Sequence, residues 1–160
     1  MSSIRFILLS LVLLVGVVPT SMAHTFSTSF INLKSQADGV QIRWQLTFHD
    51  LLALNQTWMP EDRISGEMLN QNLDKLQLFA QKTLIIQSHS EPCKLTLDTN
   101  TPWSTMTFAR EQYIVLEMTS DCPRDKLSKL AVNDIWQELP DHKIIVENTT
   151  LDQHTPHITP

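Results

Sequence analysis

The chain has 160 residues, of which 42% are hydrophobic and 18% charged, and its formal net charge at pH 7 is −5. The acidic balance argues against a protein that binds nucleic acid or an anionic membrane surface, because both partners require a cationic face. The length suits one domain with a hydrophobic core of its own.

The N-terminal residues 1–23 have the pattern of a secretory signal peptide. Arg5 supplies the positive charge, residues 6–18 form an almost continuous apolar run, and the Ser-Met-Ala of residues 21–23 places small side chains where a signal peptidase cuts. The run is shorter than the roughly 20 apolar residues that a membrane span needs. We expect a mature chain that starts at His24, is periplasmic or secreted, and binds no lipid directly. An uncleaved N-terminal anchor is the alternative.

The mature domain is predicted to open with a β-hairpin. Residues 40–48 alternate strictly between apolar and polar side chains, a period that buries one face of a strand. Residues 26–34 form a second strand-like run, and Asp38-Gly39 between the two runs is a typical hairpin turn.

A helical segment is predicted to follow this hairpin. Residues 49–54 suit one or two helical turns, and Ser65 is a suitable N-cap for a longer helix that ends near Lys82. An apolar stripe on the longer helix is expected to pack on the sheet. It consists of Leu69, Leu73, Leu76, Phe79 and Ala80.

The second half of the chain returns to strand character. The predicted strands cover residues 84–87, 94–98 and 113–119, followed by a closing hairpin of residues 130–136 and 143–148. Residues 151–160 are expected to form a flexible tail. The whole pattern predicts a mainly β fold with an inserted helix (α+β), as a single two-layer antiparallel β-sandwich-like domain over residues 24–150.

The two cysteines of the chain, Cys93 and Cys122, are expected to form a disulfide. In an oxidising compartment an even number of cysteines is typical of bridges rather than free thiols. Cys93 precedes one strand-like run and Cys122 follows another, so antiparallel pairing of the runs brings the two residues side by side.

Motifs for catalysis are missing from the sequence. It contains no G-x-S-x-G, no H-E-x-x-H, no Walker loop and no dinucleotide fingerprint, and its acidic residues are scattered. We therefore expect a non-enzymatic protein. A small secreted enzyme of unknown type is an alternative.

Histidines raise the possibility of a metal site. Cleavage after residue 23 would give His24 both a free amine and an imidazole, and these nitrogen ligands suit Cu(II) or Ni(II). His49 and His142 are the candidates for a third ligand. The alternative is that His24 is simply a small polar residue tolerated after the cleavage site.

Several short motifs follow one another through nearly the whole mature chain. They are Ala23-His24, Ser29-Phe30-Ile31-Asn32-Leu33, the stretch from Trp44 to Leu51, the stretch from Arg63 to Leu69, Cys93, Cys122-Pro123 and Asp141-His142-Lys143. In their order and spacing the chain resembles the extracytoplasmic N-terminal domain of HupE/UreJ-type membrane proteins.

This resemblance implies an exported binding or accessory domain that assists nickel or cobalt handling together with an integral membrane protein. The multi-helix membrane part that normally follows the domain is absent from these 160 residues, so no transport activity is carried over. A soluble copper or nickel binder that uses His24 is the alternative.

Asp50 and His142 are the positions that match the family pattern best. The resemblance implies a polar or metal-contacting pair. The alternative is that Asp50 caps the short helix beginning near it while His142 bonds the backbone of a turn.

Overall fold

The computed structural model describes residues 27–59, 63–89, 91–122, 127–148 and 157–158. The expected signal peptide and His24 lie outside these residues. Among the helices that the structure does describe, none is long and apolar enough to cross a membrane.

Strands dominate the described part of the chain, which confirms the predicted fold class. In chain order the elements are β1 (Thr28–Gln36), β2 (Gly39–Thr47), α1 (Phe48–Leu54), α2 (Gly66–Gln71), α3 (Leu73–Thr83), β3 (Leu84–Ser88), β4 (Glu91–Pro92), β5 (Leu95–Leu97), β6 (Trp103–Phe108), β7 (Glu111–Ser120), β8 (Leu127–Val132), α4 (Ile135–Glu138), β9 (Lys143–Asn148) and β10 (His157–Ile158). The described strands form a seven-stranded main sheet, in the order β10-β9-β1-β2-β7 with β5 and β6 both paired to β7, and a small sheet ordered β4-β3-β8.

The β1–β2 hairpin forms as predicted because one face of β2 is continuously apolar. The residues on that face are fully buried: Val40, Ile42, Trp44 and Leu46. The turn residues are Ala37 and Asp38 rather than Asp38-Gly39, since Gln36 pairs with Gly39. A Cβ on Gly39 would lie only 2.0 Å from the Ser120 carbonyl oxygen, so the close approach of β7 requires glycine at this position.

The helical layer differs from the prediction in one respect. Ser65 caps a helix as expected, accepting a hydrogen bond from Met68 N, but that helix ends at Gln71 and a second one begins at Leu73. The interruption is at Asn72, whose side-chain amide donates to Met68 O at 2.8 Å. A short amide side chain that competes for backbone groups in this way favours helix ends.

The predicted apolar stripe does pack against the main sheet. Leu69, Leu76, Phe79 and Ala80 are buried, and the ring of Phe79 stacks on that of Trp44 with centroids 5.4 Å apart. The helices and the sheet therefore share one core, as expected for a layered domain.

Side chains of α3 also occupy the free edge of β5. The Nε2 atoms of Gln77 and Gln81 donate to Leu95 O at 2.9 and 2.8 Å, and Leu97 N donates to Gln77 Oε1 at 2.6 Å. These bonds satisfy backbone groups that an edge strand would otherwise leave open.

The Cys93–Cys122 disulfide is formed, with a Cα–Cα distance of 5.5 Å. The antiparallel register of β5 and β7 pairs Leu95 with Ser120, and its continuation by two residues places the cysteines opposite each other. The strand pairing inferred from the sequence is thus the reason that the bridge closes.

The predicted closing hairpin is wrong. β8 pairs with β3 in the small sheet, residues 135–138 form α4, and β9 runs parallel to β1 instead of antiparallel to β8. Asp134 has a left-handed φ of 60°, and Asn133 N donates to Thr83 O at 2.7 Å, so the chain leaves β8 before the expected strand ends. Ile144 and Val146 of β9 are buried and extend the core beside β1.

The C-terminal residues return to the main sheet at one point. His157 and Ile158 pair with Ile145 and Ile144 of β9. The other residues of the expected flexible tail lie outside the described residues.

Candidate functional site

A cleft of about 570 Å³ lies at one end of the main sheet. The start of β1, the end of β2 and the start of β7 meet there, because neighbouring strands in this part of the sheet are antiparallel. The turn after β6 and the segment between α4 and β9 complete the walls. The cleft is lined by Ser27, Thr28, Phe30, Thr47, His49, Asp50, Phe108, Ala109, Glu111, Tyr113, Glu138, Leu139, Pro140, Asp141 and His142.

Asp50 lies in the floor of this cleft, in the first turn of α1. Thr47 is the residue that caps the helix, since its Oγ1 accepts a hydrogen bond from Asp50 N at 3.1 Å. The Asp50 side chain is fully buried, and neither carboxylate oxygen accepts a hydrogen bond from any described residue. Buried polar atoms almost always have such a partner, so this carboxylate is an exception that needs an explanation.

Two imidazoles flank the carboxylate. His142 Nδ1 lies 3.6 Å from Asp50 Oδ2, and His49 Nδ1 lies 3.6 Å from Asp50 Oδ1. Both distances exceed those of ordinary hydrogen bonds. The His142 side chain is fully buried, whereas that of His49 is 85% exposed, so His49 is on the solvent side of Asp50.

The parallel pairing of β9 with β1 places His142. Because Thr28 is aligned with Lys143, the preceding histidine lies beside the start of β1. The ring is held on both sides by serine hydroxyls: Nδ1 is hydrogen-bonded to Ser27 Oγ, and Nε2 lies 2.9 Å from Ser29 Oγ. The Trp136 indole donates to the His142 carbonyl at 2.9 Å and fixes the backbone.

Burial determines the charge of His142. It lowers the pKa of the imidazole below its ordinary value of 6.5, and the neighbouring Asp50 carboxylate only partly offsets this effect. The ring is therefore neutral at pH 7 and does not neutralise Asp50.

The lowered pKa of His142 predicts a pH dependence of stability. The unfolded state takes up the proton at about pH 6.5 whereas the folded state resists it, so the free energy of unfolding falls as pH drops below about 6.5 and levels off below the folded-state pKa. Urea unfolding at about pH 5 and about pH 7.5 measures this slope. The variant His142→Gln should reduce this slope, because it removes the group whose pKa is lowered in the folded state. Equal slopes in wild type and His142→Gln would contradict the assignment.

The described residues that line the cleft include carboxylates but no lysine or arginine that would balance their negative charge. Asp50, Glu111, Glu138 and Asp141 contribute four carboxylates, and none of the described lining residues is lysine or arginine. A cleft with charges of one sign and low-dielectric walls concentrates ions of the opposite sign. Electrostatics therefore favour a cationic ligand.

One wall of the cleft is aromatic. The ring centroid of Phe30 lies 5.9 Å from those of Phe108 and Tyr113. Burial, followed by the charges of Glu111 and Asp50, raises the pKa of Tyr113 above 10.0, so its hydroxyl stays protonated. Phe108 is 53% exposed, one of two large hydrophobic side chains among the described residues that are this open to solvent.

The turn beside Phe108 is strained. β6 was not predicted, because its two-residue connection to β7, Ala109-Arg110, contains none of the usual turn residues. Both residues have positive φ, 50° and 73°, the geometry that normally selects Asn-Gly in such a hairpin. Non-glycine residues in this region store strain, and such strain clusters at ligand sites.

Relieving this strain should stabilise the protein. The double variant Ala109→Asn/Arg110→Gly is expected to raise the free energy of unfolding by about 1–2 kcal/mol, because the left-handed penalty is removed. Chemical denaturation measures the change, and Arg110→Lys, which keeps a side chain in the strained position, should give none. A loss of stability in the Asn-Gly variant would show that the turn is not strained.

The residues expected to form a site meet only in part. Asp50, His142 and His49 come together, whereas His24 lies outside the described residues. No group of three or more His, Cys, Asp or Glu suited to a metal ion occurs within the described residues. The alternative roles of the pair are wrong: Thr47 rather than Asp50 caps α1, and the ring of His142 bonds serine hydroxyls rather than a turn backbone.

Sequence reasoning missed the serines and the aromatic wall. Ser29 is fully buried on the face of β1 that also carries Ile31 and Leu33. A serine at an apolar position of an alternating strand could have indicated a polar site, since a buried hydroxyl needs a polar partner. Nothing local indicated that Phe108 would reach the same site.

Comparison with known proteins gives no further assignment. No family model matches the chain, and no curated protein matches it.

Proposed function

We propose that this chain is an exported, non-enzymatic binding or accessory domain that takes a cationic ligand in the cleft above Asp50. The observation that carries the proposal is the Asp50 carboxylate, which is fully buried at the floor of an open acidic cleft and accepts no hydrogen bond from the described residues.

The energetics of a buried carboxylate favour a cationic ligand. Removing a carboxylate from water costs several kcal/mol, and only a close opposite charge with good hydrogen bonds offsets that cost. Neutral His142 supplies no such charge, and the His49 ring is solvated. A bound cation would supply the opposite charge that the Asp50 carboxylate lacks among the described residues of the folded chain.

Export is proposed from two independent features. The Cys93–Cys122 bridge is formed, and disulfides persist in oxidising compartments. Residues 1–23 have the composition of a signal peptide. Together they favour a periplasmic or secreted protein.

The resemblance to the HupE/UreJ ectodomain supplies the proposed context. Asp50 and His142, the two positions that match the family pattern best, lie in one polar cluster at the base of the cleft. Their proximity supports a shared role. In this context the domain would assist nickel or cobalt handling alongside an integral membrane protein.

The competing functional class is an enzyme, because the side chains of Ser29, His142 and Asp50 are arranged in space in the order of a Ser-His-Asp triad. Ser29 Oγ is bonded to His142 Nε2, and Asp50 lies near the opposite ring nitrogen. The nucleophile of a triad must reach substrate, but Ser29 is fully buried and does not line the cleft. This burial supports a structural network in place of a catalytic one.

Isothermal titration of residues 24–160 with Ni(II), Co(II), Cu(II) and n-butylammonium tests the binding proposal. At least one cation should bind the wild type and bind Asp50→Asn about tenfold more weakly, since hydrogen bonds to a charged group are lost. Glu91→Gln, a change at an exposed carboxylate in β4 outside the cleft, is the control for net charge. Wild-type affinity in Asp50→Asn for every cation that binds would refute the proposal.

Two further measurements separate the alternatives. Copper binding that disappears when one residue is added before His24 would identify the N-terminal chelate. Labelling of Ser29 by a fluorophosphonate would identify a hydrolase. Crosslinking of the mature domain to a multi-helix protein in native membranes, absent with a heat-denatured domain, is the result expected for an accessory role.

A further inference from the structure

We propose that the ligand of the Asp50 cleft is an organic ammonium ion with an apolar stem, such as a primary alkylamine or a lysine side chain, and not a bare metal ion. This inference rests on the proposed cation-binding function and names its ligand class, which takes the place of the nickel or cobalt ion that the family resemblance implies for this cleft. It follows from the way charge and apolar surface are distributed within one cleft.

The carboxylate end of the cleft suits an ammonium group. Asp50 offers two oxygens without hydrogen-bond partners, and an ammonium group has three donors for a single charge. The further carboxylates of Glu111, Glu138 and Asp141 line the same cleft and attract a cation towards it.

The aromatic wall suits the stem of such a ligand. Phe30 joins Phe108 and Tyr113 in one cluster, because its ring centroid lies 5.9 Å from the centroid of each. Aromatic faces attract both alkyl groups and cations, and ammonium ligands are commonly bound between such rings and a carboxylate. A hydrated metal ion would gain nothing from this wall, whereas an alkylammonium ion uses both ends of the cleft.

The imidazoles fit a metal ion poorly. Both ring nitrogens of His142 face serine hydroxyls, so neither is directed at a vacant position. Within the described residues no group of three or more His, Cys, Asp or Glu is arranged so that it could hold a metal ion, whereas metal sites commonly use three or four protein ligands.

His49 is the solvent-exposed neighbour of Asp50. The carboxylate is shielded from solvent, and the 85% exposed ring of His49 lies on its outer side. Rotation of an exposed side chain is fast and little hindered, so the ring can move aside as a ligand enters. Removal of the ring should therefore leave ammonium binding intact or strengthen it, but it should weaken a metal site that uses His49.

An NMR titration of residues 24–160 with n-butylammonium chloride tests the inference, with 1-butanol as its neutral isostere. We expect n-butylammonium to shift the amide resonances of cleft residues, and to bind about tenfold more tightly than 1-butanol. Asp50→Asn should weaken binding about tenfold, and Phe108→Ala about two- to fivefold. His49→Ala should not weaken it, and Glu91→Gln is the charge control. A parallel titration with Nα-acetyl-lysine-N-methylamide distinguishes a peptide lysine from a small amine by the relative affinities.

The outcomes are distinct. If Ni(II) or Co(II) binds through Asp50 and His49 while n-butylammonium does not bind, the ligand class is wrong and the proposed cation-binding function stands. If no tested cation depends on Asp50, both proposals fail. Equal affinity for n-butylammonium and 1-butanol, or unchanged affinity in Asp50→Asn, would also overturn the inference. Folding of each variant is verified by its amide spectrum before titration.

Discussion

Replacing both cysteines by alanine is expected to lower the free energy of unfolding by about 3–4 kcal/mol. The bridge joins residues that are 29 apart in sequence, and closing a loop of this size restricts the unfolded chain by about that amount in the chain-entropy model. The total stability of a folded domain is only about 5–15 kcal/mol, so the loss is a large part of the whole. Urea unfolding of the double variant measures it.

The single variant Cys93→Ala distinguishes the bridge from the packing of its sulfurs. It breaks the same covalent link, so it should lose nearly as much stability as the double variant. The cleft lies at the opposite end of β7 from Cys122, so binding by the folded variants should persist. Two titratable thiols in the purified wild type, or a loss below about 1 kcal/mol in the double variant, would contradict the prediction.

The parts of the fold that were predicted correctly depend on local patterns. The alternation in β2 identifies the strand and its buried face, and β1 lies next in sequence, so the hairpin needs no long-range information. The disulfide could also be predicted from the sequence, because each cysteine flanks a strand-like run and antiparallel pairing of the runs aligns the two cysteines. Ser65 marked a helix start through its capping chemistry alone.

The largest error concerns the partners of two strands and not the existence of those strands. β8 and β9 are both strands, as predicted, but they do not pair with each other. β8 pairs with β3. β9 pairs with β1, which lies more than 100 residues earlier in the chain. A hydrophobic pattern shows which face of a strand is buried and leaves its neighbour unspecified. Strand β6 and the helix break at Asn72 were not predicted, because they depend on local backbone conformations that the residue types do not indicate.

The same distinction applies to the site. Asp50 and His142 were singled out by resemblance, but their contact depends on the parallel β1–β9 pairing that no local pattern indicates. Ser27 and Ser29 enter the site through that pairing as well. Asp50 and His142 could therefore be singled out from the sequence, whereas the part of the serines and the assembly of the site depend on tertiary structure.

The variant Asp50→Asn is expected to be more stable than the wild type while it binds the cationic ligand about tenfold more weakly. Two effects oppose each other at this position. The charge in the first turn of α1 interacts favourably with the helix dipole, which is worth about 0.3–1 kcal/mol. An unpaired buried carboxylate costs several kcal/mol, so its removal outweighs the dipole term, and we expect the free energy of unfolding to rise by about 1–3 kcal/mol at neutral pH.

The Asn variant keeps the shape of the side chain and the backbone bond from residue 50 to Thr47 Oγ1, so a change in stability reports on the charge. Asp50→Ala would also leave a small cavity, and its gain should be smaller. In saturating ligand the stability gap between the variant and the wild type should shift by about 1.4 kcal/mol in favour of the wild type, because a tenfold weaker affinity stabilises the variant by that much less. Unfolding measured with and without n-butylammonium gives both quantities from one pair of proteins. An Asp50→Asn variant that is less stable than the wild type without ligand would show that the folded chain already compensates the carboxylate, and the need for an external cation would disappear.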